Sequence, residues 1–487
     1  MKLNELLKKS GFKNNFTINP DIDEIIFDSR KSAPGKIFVA LRGDNTDGHK
    51  YIETAIKAGC PLIFSEESFD SDSVIVVSDT KIALAKLSHV LHEYPSKNLR
   101  LCGVTGTNGK TTITHLLAHA LKKVDQKLGL IGTAGHVLPT GDVQFDKSNP
   151  GTTPPVTVLD DYFKVMSDEG SKYAVLEMSN FGLERGRLIG FEFDSVAISN
   201  ITYNHHVKLA KTFGAYVESK MMAIDLVKKD GTVILNKDDQ FFELAKKRAD
   251  GLNIITYGKN DGDLFIKNLD IGLTSSTAEI SAFGQNYNIF VPIAGELNAI
   301  NMLTVFGIIH GLGYEIGDFI DCFKSFKPIS GRWNWIDKGQ PFPILVDKAN
   351  TESSVRFVLS HLKKFCKGKI TTIIYMVGDG DIKARENIAG VLREYSDETI
   401  VTYGLSQGED IDETVSQFAG MLDGISANHM VIKNREEAVA YAVEHAKDED
   451  CLAILARGDQ ERMYVKGELI KDDRIVAIES LKKRGFA

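Results

Sequence analysis

Cysteine is sparse in this chain. The five present (Cys60, Cys102, Cys322, Cys366, Cys451) are too scattered to make a C-x-x-C pair. That spacing excludes the usual zinc ligand pattern and offers no disulfide framework, so the expectation is reduced thiols in a cytoplasmic protein. Excess positive charge is also missing. The formal net charge is −8 and the pI near 5.9, without the basic stripe of a general nucleic-acid binder. A phosphorylated small ligand is not excluded, because a few cations and backbone amides suffice to hold one. Nowhere do apolar residues run for the roughly 20 positions that span a bilayer. The N-terminal MKLNELLKKSGFKNN has no apolar stretch long enough for a signal peptide. Repeats and low-complexity linkers are absent too. The expectation is a monomer with no nucleic-acid and no membrane partner.

What is present is length and ordinary globular composition: 487 residues, 43% hydrophobic and 25% charged. At roughly 100–200 residues per domain, about three domains are expected. The first, residues 1–98, has short β-like runs at Glu24–Phe27, Ile37–Leu41, Pro61–Phe64 and Val74–Val77. The second, 99–330, opens with a strand at Leu101–Val104 and a helix from Lys110 to Lys123. Strands follow at Tyr173–Leu176 and Ser195–Ile198, and a helix over Ala215–Lys228. Antiparallel strands are expected over Ile254–Ile293, and helix again over Asn298–Leu312. The third, 331–487, alternates helices with strands at Pro343–Val346, Lys369–Met376, Glu398–Thr402 and Cys451–Leu455. The alternation predicts an α/β fold with parallel sheets.

The strongest local signal is Gly103-Val104-Thr105-Gly106-Thr107-Asn108-Gly109-Lys110-Thr111-Thr112, between a strand and a helix. In a phosphate-binding loop, glycines let backbone N–H groups converge on phosphate oxygens, and the helix N-terminus adds positive potential. Lys110 can neutralise the β- and γ-phosphates, and the Thr111 hydroxyl can hold Mg²⁺. The common pattern has glycine five positions before Gly109, where Val104 stands instead.

This variant loop, GTNGKTT, resembles that of the Mur ligases and their relatives, the folylpolyglutamate synthases. Asp28-Ser29-Arg30, Pro34-Gly35 and Asp47-Gly48-His49 resemble the family's uridine-nucleotide domain. The resemblance puts Ser29 and Asn45 near the uridine. Thr152-Thr153-Pro154 is similar to a substrate-binding Thr-Thr-Pro. Glu177-Met178-Ser179, followed by Arg187, resembles Glu-Val-Ser-Ser-His. It implies Glu177 as a Mg²⁺ ligand and Ser179 and Arg187 as acceptor-binding residues, with Phe181 where the family has histidine. Asn200-Ile201-Thr202-Tyr203-Asn204-His205 implies His205 near the metal, with Asn204 replacing aspartate. Tyr216-Val217-Glu218-Ser219-Lys220 resembles the segment whose lysine is carbamylated, an N6-carboxylysine that orients Mg²⁺. Asn298 and Asn301 are similar to an adenine-side Asn-x-x-Asn, and Gly331-Arg332 to a domain opening whose arginine reaches the ATP phosphates. Asp347 would accept from the ribose, and Asn350 stands where the family has histidine.

The resemblance implies three α/β domains: a small uridine-nucleotide domain, a central P-loop parallel-sheet ATPase domain and a C-terminal Rossmann-like domain. It implies a ligase of peptidoglycan-precursor synthesis, and so of cell-wall biogenesis, cell shape and division. ATP phosphorylates a carboxylate of UDP-N-acetylmuramoyl-L-alanyl-D-glutamate, and a free amino acid attacks the acyl phosphate. Lys110, Glu177, His205 and Lys220 would carry the chemistry. Near the incoming amino acid the match thins. Gly404-Leu405-Ser406-Gln407 stands where diaminopimelate-adding members have Asp-Asn-Pro-Arg. Gln407 and Arg457 are then candidates for its carboxylate and Glu461 for its amine. L-lysine, or another residue without a second carboxylate, fits better than diaminopimelate. Two alternatives stay open: a nucleotide-binding regulator without catalysis, and a ligase with another acceptor, as in the folylpolyglutamate synthases.

Overall fold

The computed structural model describes the chain apart from residues 14, 44–45, 144–150, 203–211, 328, 330, 379–380, 459–462 and 487. At the N-terminus four strands, Glu24–Ile26, Lys36–Val39, Leu62–Ser65 and Val74–Val76, lie side by side in chain order, all parallel. Ile37, Phe38 and Val39, like Leu62, Ile63 and Phe64, are buried in succession. Burial on both faces is what makes such runs uninterrupted rather than alternating. The helix Thr80–Leu91 begins where Asp79 accepts from the N–H groups of Lys81 and Ile82. It docks this sheet on the next domain: Ser88 and His89 both bond the buried Asp160 of the helix Val156–Asp168, at 2.5 and 2.9 Å.

The central sheet has eleven strands. Its parallel middle runs Val227–Asn236, Phe193–Ile198, Arg100–Thr105, Tyr173–Glu177, Gly129–Gly132. The helices Lys110–Leu121 and Glu296–Gly311 pack on it through Ile113, Leu117, Leu303 and Phe306. Two expectations need correction. The helix expected over Ala215–Lys228 spans Phe213–Met221, and Lys228 lies in the strand Val227–Asn236. Val233, Ile234 and Leu235 are buried there between two neighbouring strands, and that packing overrides the local helical pattern. Of the strands between Ile254 and Ile293, Asn253–Gly258 runs parallel to its neighbours; only Leu264–Ile271, Ser276–Ala282 and Gln285–Val291 form an antiparallel meander.

The C-terminal sheet runs Asn334–Ile336, Ile344–Val346, Cys451–Ile454, Ile370–Ile374, Glu398–Val401, His429–Val431, parallel except for the first strand. Chain order reverses within both larger sheets, and in open α/β sheets ligands bind beyond the carboxyl ends of strands at such points. Among the described residues no helix is long and apolar enough to cross a membrane.

Candidate active site

The strand Arg100–Thr105 delivers the glycine-rich turn into a cleft of about 910 Å³ between the central and C-terminal domains. Gly106 sits at φ +146°, and a side chain there would collide with the Ser199 hydroxyl. Gly109 sits at φ +88°, and a Cβ would lie 2.6 Å from Asn301 Oδ1. Both positions therefore demand glycine. The backbone of Thr107 and Asn108 corrects the sequence reading. Both residues line the cleft, but their N–H groups donate to the carbonyl and side-chain oxygens of Asn200, at 2.7 and 3.0 Å, so those two amides brace the turn and are not offered to a phosphate. The amides for an anion are those of Lys110, Thr111 and Thr112, which have no partner one turn back because the helix starts there.

Glu177 ends the strand Tyr173–Glu177 fully buried. Its two oxygens accept from the Thr133 N–H at 3.0 Å and the Thr133 hydroxyl at 2.9 Å. The Thr133 proton is thereby committed, so Thr152, 2.9 Å away, donates to Thr133 and turns its lone pairs to the cleft. Thr153 is a second correction. Its hydroxyl donates to the Glu177 carbonyl at 2.8 Å and accepts from the Ser179 N–H, and the residue is fully buried. It holds the strand end together and is not open to a substrate. Ser179 and Arg187 do line the cleft, and Arg187 donates to the Thr153 carbonyl at 2.6 Å.

Two lysines meet on one carbonyl. Lys110 Nζ lies 2.7 Å and Lys220 Nζ 2.8 Å from Gly106 O. Burial pushes the Lys220 amine well below the ordinary lysine range, and the neighbouring charge of Lys110 adds to it against the opposing Glu184. Burial also lowers Lys110; Glu177 pulls it back up and Arg332 pushes it further down. Lys220 is thus held toward the neutral amine.

From the other side come Asn298 and Asn301, one helical turn apart and 3.1 Å from each other, with Arg332, Asp347 and Asn350 of the C-terminal domain. Asp347 accepts from the Trp333 and Ala349 N–H groups at 2.7 and 2.8 Å, which fixes the carboxylate at the cleft. Arg457 is the third correction. It is fully buried, bonds the carbonyls of Ile470 and Lys471 and pairs with Asp473, so no face remains for a substrate carboxylate. Ser29, in the N-terminal domain, and the exposed Gln407, in the C-terminal domain, do not line this cleft. Asn45, His205 and Glu461 lie outside the described residues.

Sequence reasoning gave no role to Thr133, Asn200 or Tyr216, although Asn200 and Tyr216 open two of the segments that resemble the family. A cluster in the first domain, Asp47, His49 and Glu67, is accounted for without a metal. Both nitrogens of His49 are bonded, to Asp47 and to the Glu66 N–H, and Arg42 pairs with both carboxylates.

Known proteins resemble the chain along its whole length. Residues 104–309 match the Mur ligase middle domain, 331–458 the Mur ligase glutamate ligase domain, and 21–94 the Mur ligase family catalytic domain. The chain is 30% identical, over 99% of its own length and all of the relative's, to the UDP-N-acetylmuramoyl-L-alanyl-D-glutamate–2,6-diaminopimelate ligase of Geobacillus thermodenitrificans. A solved structure of a ligase with that name superposes over both full chains with TM-score 0.69 at 23% identity. The ADP complex of MurF ligase from Thermotoga maritima reaches 0.64 at 21% identity, covering 95% of this chain and 98% of that one. The glycine turn, the buried carboxylate and the lysine pair therefore sit in a chain that belongs to the Mur ligase family.

Proposed function

We propose that this chain is an ATP-dependent, ADP-forming ligase that joins a diamino acid to UDP-N-acetylmuramoyl-L-alanyl-D-glutamate in peptidoglycan-precursor synthesis. The observation that carries it is the cleft itself. It gathers the Lys110–Thr112 amides, Glu177, Lys220, the two asparagines and Arg332 in a chain similar along its whole length to a ligase of that name.

A carboxylate is a poor acyl donor. One oxygen of the acceptor's carboxylate attacks the γ-phosphorus of ATP, and ADP leaves. The amine of the incoming amino acid then attacks the carbonyl carbon of the acyl phosphate, and phosphate leaves. Lys110 and the helix amides offset charge on the moving phosphoryl group. Ser179 and Arg187 hold the acceptor, with Thr152 accepting beside them, and the guanidinium suits a carboxylate. Asn298 and Asn301 face the adenine, Asp347 the ribose and Arg332 the phosphates. Ser29, with Asn45, faces the uridine from the first domain.

Thr111 and Glu177 offer a hydroxyl and a fixed, buried carboxylate, hard oxygen donors of the kind Mg²⁺ selects, and His205 belongs to the same set by resemblance. Mg²⁺ bound there supplies charge neutralisation to the nucleotide phosphates. The Lys220 amine, its basicity lowered by burial, is suited to take up carbon dioxide as a carbamate, an anion in the cleft that Thr111 and Glu177 also line. For the incoming amino acid, L-lysine or another diamino acid with a single carboxylate fits best. Gln407 is neutral, and Arg457 is closed off by its own partners, so neither supplies a cation for a second carboxylate.

Phosphate release from ATP that requires both the UDP-dipeptide and an amino acid tests the reading. Release with ATP alone, or none with any amino acid, contradicts it. A panel of lysine, diaminopimelate and ornithine tests the specificity, and preference for diaminopimelate overturns that part.

A further inference from the structure

Tyr216 lies one helical turn before Lys220 on the helix Phe213–Met221, fully buried at the cleft wall. It does two separable things. Its ring lies over the Lys220 amine, 4.6 Å from Nζ, and its hydroxyl is 3.1 Å from Thr107 Oγ1. The protons can be followed. A threonine hydroxyl has one proton and two lone pairs. Thr107 Oγ1 donates to the Thr202 carbonyl at 3.2 Å and accepts from the Thr202 N–H at 3.0 Å. One lone pair remains, so the Tyr216 O–H is the donor. Thr107 is thereby saturated, and its carbonyl and that of Gly106 are the two oxygens on which Lys110 rests.

We infer that Tyr216 is a positioning residue of the ligase reaction: its hydroxyl locks the phosphate-binding turn through Thr107, while its ring shields Lys220 from water. One side chain thus sets the turn and the second lysine in register. The inference rests on the roles given above to the turn and to Lys220, and its test avoids the acceptor.

Calorimetric binding of Mg-ATP to the full chain, with no UDP-dipeptide present, reads the first role. Tyr216→Phe keeps the ring and loses the donor. Loss of one such bond at a turn is expected to weaken Mg-ATP binding about fivefold. Thr107→Val removes that bond together with the two to Thr202 and is expected to weaken binding at least as much, and the double variant to be no weaker than Thr107→Val alone, because the tyrosine hydroxyl has then already lost the Thr107 oxygen it acts through. The ¹³C resonance of a lysine carbamate under labelled bicarbonate reads the second role. It is expected to persist in Tyr216→Phe and to weaken in Tyr216→Leu. Unchanged ATP affinity in Tyr216→Phe, or additive losses in the double variant, overturns the inference even if Tyr216→Leu does not fold. Absence of acceptor-dependent phosphate release in the unaltered protein would contradict the proposed function and leave this binding result to stand or fall by itself.

Discussion

Two arginines of the C-terminal domain, each beside a glycine, meet opposite fates. Arg332, after Gly331, lines the cleft and lowers the pKa of Lys110 across the domain boundary. Arg457, before Gly458, is fully buried, its guanidinium taken up by two carbonyls and by Asp473, which Arg435 also grips at 2.7 Å. A cation serves a ligand only where its own chain leaves it partly unanswered; where the fold answers every donor, the same residue type holds the domain together. Thr152 and Thr153 repeat the lesson one residue apart, the first facing the cleft and the second closed within the strand end.

If this division holds, changes at cleft cations act on turnover and changes at answered cations act on stability. The largest effect is expected at Lys110. Lys110→Ala loses about 10²–10³-fold or more in ligation rate, measured as phosphate release, with its urea midpoint little altered. Near-normal turnover would remove Lys110 from phosphate transfer. Lys220→Ala is expected to lose about 10–100-fold, as for residues that orient a metal's surroundings, and to recover part of it with added acetate or formate. Full activity without rescue would end its assignment. Arg457→Ala leaves Asp473 with one partner fewer in the interior and is expected to cost about 3–5 kcal/mol in urea unfolding. Arg332→Ala is expected to change stability by about 0.5 kcal/mol or less, while raising the ATP KM. Exchange of those two outcomes would break the comparison outright.

The last effect concerns pH and a group outside the cleft. Burial lowers His136 from its ordinary 6.5 to about 4. Below about pH 6.5 the unfolded chain takes up a proton that the folded chain refuses, so stability falls as pH falls through that range. At pH 5 the loss is on the order of 2 kcal/mol relative to pH 7. In His136→Phe that part of the slope should vanish from unfolding curves at pH 7 and 5; an identical slope would show that other groups carry it.

How much of this was legible beforehand follows from range. The glycine turn, the strand before it and the helix after it are local, and they read directly from Gly106–Thr112. So did the carboxylate at the end of Tyr173–Glu177 and the paired asparagines one turn apart. What was not legible was which polar groups are already satisfied. Thr107 is closed by Thr202, 95 positions away, and Tyr216, 109 away; Thr153 is closed by Glu177 and Ser179, and Arg457 by Ile470, 13 away, and Asp473, 16 away. No local pattern carries such long-range partners. The strand Val227–Asn236 escaped for a related reason, because its burial comes from two neighbouring strands rather than from its own spacing.

The most direct test of the account follows an oxygen atom. If the cleft transfers the γ-phosphoryl group of ATP to a carboxylate, an acceptor dipeptide labelled with ¹⁸O in its reacting carboxyl group must hand one labelled oxygen to the phosphate released in each ligation. Singly labelled phosphate, in step with amide formed, is the predicted result. Unlabelled phosphate alongside amide product would contradict the transfer at the centre of the account.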